Sequence, residues 1–228
     1  MPNAVQLEKD GFWVTLWFNK PEKRNAFTAD LLVELKQALV ELRDDKSVRG
    51  ITIRGRGGFF CAGGDLKMFK DTLAGGGERQ AVIDTSCQIA EILDLVNTMP
   101  KLVVVLIEGA AMAGGFGLAC CADVVICQNS AKFAMTETTL GLSPAQIAPF
   151  AIQKLGYSTA RMLMLTAARF NGQESLAYGF ANYTANTCEE LEEIEQKLRD
   201  QLRNCGPEAI AATKDLLLKL PALDRNEA

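Results

Sequence analysis

The spacing of apolar and polar positions divides this chain into a first part where strands and helices alternate and a second part that is helical. FWVTLWF (12–18) is dense in aromatic and β-branched residues and reads as a strand. A polar loop containing Pro21 follows. From a candidate N-cap at Thr28, the residues Leu31, Leu32, Leu35, Ala38, Leu39 and Leu42 recur at helical spacing, predicting an amphipathic helix that ends near Arg43. A short strand over 50–54 leads into a glycine-rich loop over 55–64, and Leu66 opens a segment of helical character. Three consecutive glycines within 72–79 predict a mobile loop, and a helix over 81–99 is stopped by Pro100. LVVVLI (102–107) reads as a buried strand, 109–115 as a small-residue turn, 116–122 as the start of a helix, and 124–127 and 132–135 as extended pieces. Beyond Pro149 the period is helical over 150–155, 158–166, 173–179, 189–204 and 207–220. With no internal repeat or low-complexity linker, this order predicts one α/β domain with a core over 1–150 and a helical region over 151–228.

Composition narrows the function. With 228 residues and 48% hydrophobic content the chain can bury a sizeable core. Net charge is −4 and no stripe of Lys and Arg appears, which argues against nucleic acid as a partner. A local cluster of Lys20, Lys23 and Arg24 suits a small phosphorylated ligand instead. MPNAVQLEKDG lacks a basic stretch followed by an apolar run, so no signal peptide is expected. The longest apolar run, over 102–107, is too short to span a bilayer, and a cytoplasmic protein without membrane contact is expected. Seven cysteines form no C-x-x-C pair and read as buried reduced thiols. Histidine is absent, which removes Ser-His-Asp triads, Cys-His dyads and histidine metal sites together. No metal site is expected, and acid–base chemistry falls to a carboxylate, Lys, Tyr, Cys or water.

Two segments share one layout of apolar strand, small-residue turn and helix: ITIRG…FFCAGGDLKMF (51–69) and VVVLIEGAAMAGGFGLACCAD (103–123). The first N–H groups of a helix have no intrahelical acceptor, and glycine lets a ligand oxygen approach them. Two such turns meeting in space would make an oxyanion hole with one N–H from each. Glycine content alone reads more readily as two tight turns relieved of crowding. AGGFGLA also resembles a dinucleotide fingerprint, but it lies mid-chain and no ribose-binding acid follows the next strand, so a nicotinamide fold is set aside.

FFCAGGDLKMF, EGAAMAGGFGLACCADVVI and FAMTETTLGLSPAQIAPF, in this order and spacing, resemble the crotonase (enoyl-CoA hydratase/isomerase) superfamily, and NKPEKRNAF (19–27) resembles that family's loop along the coenzyme A nucleotide. A narrower resemblance, to the isohexenylglutaconyl-CoA hydratases of acyclic terpene degradation, rests on GGFGLAC (114–120), ETTLGLSPAQIAPF (137–150), LTAARFNG (165–172) and CGPEAIAATKDLLL (205–218). The resemblance implies an α/β fold, a spiral of ββα units with a C-terminal helical oligomerisation region, and assembly as a homotrimer or dimer of trimers. It implies an acyl-CoA thioester as substrate, with coenzyme A entering only as part of it and no separate cofactor. It puts the oxyanion N–H groups on Gly64 and Gly114, sets Arg24, Ala26 and Ala62 along the CoA path, and sets Lys67 and Met68 near the thioester and pantetheine. Relatives commonly continue past the point where LPALDRNEA ends here.

Hydratases of that family typically use two glutamates. The second falls here on Glu137 and the first on Gly117, which has no side chain. A single carboxylate in an apolar pocket, its pKa raised by desolvation, can shift a double bond or deprotonate water for addition to the β carbon. Both routes pass through a thioester enolate that the two N–H groups hold more strongly than the substrate. Three readings follow: hydration of an α,β-unsaturated acyl-CoA such as a branched glutaconyl-CoA, isomerisation of an enoyl-CoA with Glu137 as the single base, or a catalytically silent CoA-binding homologue. Gln146 is a candidate for ordering water or bonding a substrate carboxylate, and equally for packing. Glu108 reads first as a structural partner of loop N–H groups, Asp65 as a helix cap, and Cys61 as a packed thiol.

Overall fold

The computed structural model describes residues 3–64 and 79–222. Its strands form two sheets. The larger has six strands in the order β1-β2-β3-β4-β6-β9, where β1 is Val5–Asp10, β2 Trp13–Phe18, β3 Gly50–Gly55, β4 Leu102–Ile107, β6 Val124–Gln128 and β9 Tyr183–Ala185. β1 and β2 are antiparallel and every other neighbour pair is parallel. Parallel strands need a crossover, and helices supply it: α1 (Ala29–Asp44), α2 (Arg79–Asn97) and α3 (Gly114–Cys120) connect successive strands. Both faces of this sheet are covered. Along β4, Val103, Val105 and Ile107 join the main core, while Val104 and Leu106 face a second cluster with Trp13, Ile126, Leu191 and Leu202 beneath α7 (Cys188–Leu202). Burial on two faces explains why β4 is an unbroken apolar run with no polar alternation.

A second layer grows by one short extended piece per turn of the chain. Phe27 pairs with Gly64, Cys61 with Ala111, Ala111 of β5 (Ala110–Met112) with Phe133 of β7 (Lys132–Ala134), and Phe133 with Phe170 of β8 (Phe170–Asn171). All these pairings but the last are parallel. A strand in each layer followed by a helix is the repeating ββα unit, and its succession is a spiral. The remaining helices are α4 (Ala148–Leu155), α5 (Tyr157–Thr166), α6 (Gly172–Ala177) and α8 (Pro207–Lys219).

The spacing-based elements recur with shifts of one or two residues at most ends, and the six residues expected to line α1 are all buried. Four short strands have no counterpart in the sequence reading. β1 is an edge strand of which only Val5 is buried, so it carries no apolar pattern. β5, β8 and β9 have three, two and three residues, too few for any period to register. β8 and β9 also show that the stretch after 151 contributes to both sheets. Thr28 is the N-cap of α1, but its hydroxyl bonds Asp30 rather than a helix N–H. The helical segment from Leu66 opens, and Asp65 lies, outside the described residues, and of the loop expected over 72–79 only Arg79 is described, where it begins α2.

Candidate active site

Parallel pairing of the second layer carries three neighbouring pieces to the same rim. Cys61 pairs with Ala111, so Gly64 and Gly114 both lie three residues beyond the paired positions. Met112 pairs with Ala134, and Glu137 lies three residues beyond that. The carboxyl ends of parallel strands are where open α/β folds gather their ligand groups.

Contacts confirm that the two glycine turns meet. The Cys61 N–H donates to Ala110 O at 3.0 Å and the Met112 N–H to Cys61 O at 3.0 Å. A Cβ at Gly63 would lie 2.8 Å from Met112 O, and one at Gly115 would lie 2.7 Å from the Cys61 Cβ, so side chains at either place would push the turns apart. Cys61, Gly63 and Gly115 are buried, whereas Ala62, Gly64 and Gly114 are partly open to solvent. Within the described residues no hydrogen bond occupies the N–H of Gly64 or Gly114. Two N–H groups without an acceptor among the described residues, at the ends of adjacent segments, are the kind of donors from which an oxyanion hole is built. Phe27 stands between them: its N–H donates to Gly63 O at 2.8 Å, and its ring would meet a Cβ at Gly114 at 3.2 Å.

The loop 20–26 runs beside the first turn. Ala62 N–H donates to Arg24 O at 3.0 Å, which brings Arg24, Ala26 and Ala62 together at Gly64. Buried Asn25 pins this loop by accepting from Lys20 N–H and donating to Arg56 O and Phe59 O at 2.8, 3.0 and 2.6 Å. Arg24 and Asn25 have φ values of 50° and 53°, a conformation that asparagine tolerates better than most residues. The basic cluster is smaller than its sequence implies. Lys20 is paired with Asp30 at 2.7 Å, and that bond together with the Thr28 hydroxyl lowers the Asp30 pKa to about 2. Lys23 and Arg24 stay exposed, with the Arg24 guanidinium 5.8 Å from the Phe59 ring centre.

Glu137 opens a 3-10 turn, Glu137–Leu140, held against α5 by a 3.2 Å bond from the Thr138 hydroxyl to Met164 O. Its Oε2 is buried with no hydrogen-bond partner. Desolvation raises its pKa, and its own backbone N–H only partly opposes this. A half-buried carboxylate with a free oxygen is equipped to take a proton. Gln146 is half-buried in the loop that joins this turn to α4. Gly117, on α3, would place a Cβ 2.1 Å from the Ile147 Cγ2, so Ile147 fills the space a side chain there would need.

The other candidates separate clearly. Burial pushes the Cys61 thiol up to about 12, which makes it a packed group and not a nucleophile. Glu108 is structural, but its side chain binds the Arg54 Nε at 2.9 Å and accepts from the Cys188 thiol at 2.6 Å, not from loop N–H groups. Lys67 and Met68 lie outside the described residues. Sequence reasoning missed Asn25, Phe27 and Ile147. Asparagine in the loop before a glycine-turn partner is a weak signal for the first. Nothing in one sequence reveals that Ile147 stands over Gly117. Among the described residues no group of three or more His, Cys, Asp or Glu could hold a metal, and no helix is long and apolar enough to cross a membrane.

Comparison with known proteins bears on the family and the fold. The model of the enoyl-CoA hydratase/isomerase family matches residues 13–225. A putative enoyl-CoA hydratase of Thermus thermophilus is 32% identical over 219 residues, covering 96% of this chain and 85% of that protein. A carnitinyl-CoA dehydratase of Proteus mirabilis is 34% identical over 218 residues, covering 95% and 80%. Among solved structures, Pseudomonas aeruginosa AtuE superposes with a TM-score of 0.91 at 40% identity, covering 97% of this chain and 85% of that one.

Proposed function

The chain belongs to the enoyl-CoA hydratase/isomerase family and is an enzyme of the hydratase type acting on an acyl-CoA thioester, and we propose that it adds water to a 2-enoyl-CoA through a thioester enolate held by Gly64 and Gly114, with Glu137 moving the proton. The observation that carries this reading is the register that brings Gly64, Gly114 and Glu137 each three residues beyond paired positions of neighbouring strands, together with two N–H groups that have no acceptor among the described residues and a buried Glu137 oxygen without a partner. The donors bind charge that develops on the thioester oxygen, so they favour the transition state over the substrate. Glu137 deprotonates water for attack at the β carbon, and the same proton returns to the α carbon. Arg24, Ala26 and Ala62 border the CoA path. Gln146 is assigned to the acyl end, where its amide suits a substrate carboxylate. A branched glutaconyl-CoA such as isohexenylglutaconyl-CoA is the substrate this favours, and coenzyme A enters only as part of it.

A second reading, double-bond isomerisation with Glu137 alone, is favoured by the missing side chain at Gly117 and the filled space beside it. Purified enzyme with 2-enoyl, 3-enoyl and glutaconyl-type CoA esters decides between them. Loss of conjugated-thioester absorbance from 2-enoyl esters is the expected result. Gain of that absorbance from 3-enoyl esters, with 2-enoyl esters unchanged, would replace hydration by isomerisation. CoA-ester binding without turnover across the panel would leave a silent homologue.

The same reading extends to assembly and compartment. Exposed Tyr157, Leu165 and Leu217, at 63%, 68% and 59%, support a homotrimer or dimer of trimers built through the region 151–228, which light scattering of the purified protein measures. Seven unpaired cysteines support a cytoplasmic location.

A further inference from the structure

Position 117 lies three residues beyond Gly114 on α3, so a side chain there would rise from the helix face that bears the second donor. Glycine at this place leaves no void. A Cβ would sit 2.1 Å from the Ile147 Cγ2 and 2.6 Å from the Ile147 Cβ, far inside the contact distance of about 3.5–4.0 Å between carbons. Ile147 is only 2% exposed.

The clash cannot be relieved by turning the isoleucine. A χ1 rotation moves Cγ2, but Cβ stays where the backbone puts it. That backbone is held from both sides: the Ile147 N–H donates to Pro144 O at 3.2 Å, and Ile147 O accepts from Ala151 N–H at 2.9 Å in the first turn of α4. Isoleucine is also stiff at χ1. The loop from 137 to 147 therefore bears the carboxylate at its start and an apolar plug at its end.

We propose that Ile147 is the specificity-determining residue of this site: it excludes a second acid–base side chain from the turn of α3 that carries the Gly114 donor, and so ties the identities of positions 117 and 147 together. The chemical meaning rests on the function proposed above, since excluding a second carboxylate leaves proton transfer to Glu137. The steric coupling stands without it.

A cycle of variants tests both parts. Gly117→Ala adds only the clashing Cβ and is expected to lower Tm by about 5 °C in the wild-type background. Relative to each background, the loss shrinks in Ile147→Ala, which keeps the Cβ at 2.6 Å, and vanishes in Ile147→Gly. An equal loss in the wild-type and Ile147→Ala backgrounds overturns the coupling, and this comparison suffices if Ile147→Gly does not fold. The second arm adds Gly117→Glu and follows 2-enoyl and 3-enoyl CoA esters by product chromatography. With Ile147 reduced to alanine or glycine, Gly117→Glu is expected to change the ratio of hydration to double-bond shift by about tenfold, a single general acid–base contribution being worth at least that much. The same change in Gly117→Glu alone, or none in the folded double variant, overturns the exclusion. Wild-type enzyme with no turnover would instead remove the proposed function, and the melting cycle would still decide the coupling.

Discussion

Glu108 is buried and Glu137 half-buried, and the two acids are opposite in kind. Glu108 follows β4 directly, and its side chain is 11% exposed. One oxygen takes the Arg54 Nε at 2.9 Å and the other takes the Cys188 thiol at 2.6 Å. Arg54 is itself bonded to Glu192 at 2.6 Å and lies 4.9 Å over the Trp17 ring. Glu137 has one buried oxygen with nothing bonded to it. A satisfied carboxylate holds elements together, while an unsatisfied one costs stability and is kept for what it can accept. Hydrogen-bond satisfaction separates the structural acid from the one proposed as the base, which is the less buried of the two.

The largest effect expected is at Glu137. Glu137→Gln should lower kcat by about 10²–10⁴-fold, measured on whichever CoA ester is turned over, with the circular-dichroism spectrum unchanged. Its stability should respond in the opposite sense. The folded pKa of Glu137 is raised above 4.5 by desolvation, so the acid favours the folded state below its unfolded pKa and loses that contribution as pH rises through the folded value. At neutral pH the glutamine variant should therefore melt no lower than wild type, and its relative advantage should disappear toward acid pH. Activity should rise with pH through the same raised pKa, because the base works ionised. A variant that loses stability but keeps its rate would make Glu137 a second Glu108.

Next in size is the effect at Glu108. Glu108→Ala leaves Arg54 with Glu192 as its remaining carboxylate partner and the Cys188 thiol without its acceptor, and should cost about 1–3 kcal/mol of unfolding free energy in denaturant titrations, with kcat per folded molecule unchanged. The thiol reports on the same bond. Glu108, as the principal cause, pushes Cys188 up to about 11, so the gentler Glu108→Gln should bring its pKa down and speed alkylation near pH 8.5. A fall in kcat matching that in Glu137→Gln would erase the distinction between the two acids.

The two regions were unequally legible in the sequence. α1 and β4 could be read from the sequence because burying one stripe leaves a periodic mark and burying two faces leaves a continuous apolar run, each over six or more residues. Of the second layer only β7 could, since its pieces are two or three residues long and its pairings join positions such as Phe27 with Gly64 and Cys61 with Ala111. Gly64, Gly114 and Glu137 were identified through motif resemblance, and the reason they share a rim, parallel register, appears only in three dimensions. Arg54, Glu192 and Cys188 join Glu108 from separate parts of the chain, so no local pattern announces them.

The smallest effect sharpens the contrast in another way, because the rim is strained where the Glu108 cluster is satisfied. Ala113, just before the Gly114 donor, has φ 46° and ψ −121°, a conformation that costs a residue with a Cβ about 1–3 kcal/mol. It persists because both sides of the residue are tied: its N–H donates to Ala134 O at 2.9 Å, and its carbonyl accepts from Gly117 N–H at 2.9 Å. Those bonds, and not the alanine side chain, orient the peptide that presents the Gly114 N–H. Ala113→Gly should therefore relieve strain while keeping the turn. Part of the gain is offset by the greater freedom of glycine in the unfolded chain, leaving a stabilisation of up to about 1 kcal/mol. kcat should stay unchanged, since the same two hydrogen bonds still aim the donor. A falling kcat with rising Tm would instead mean that alanine's restriction of the backbone is itself part of how the oxyanion donor is held.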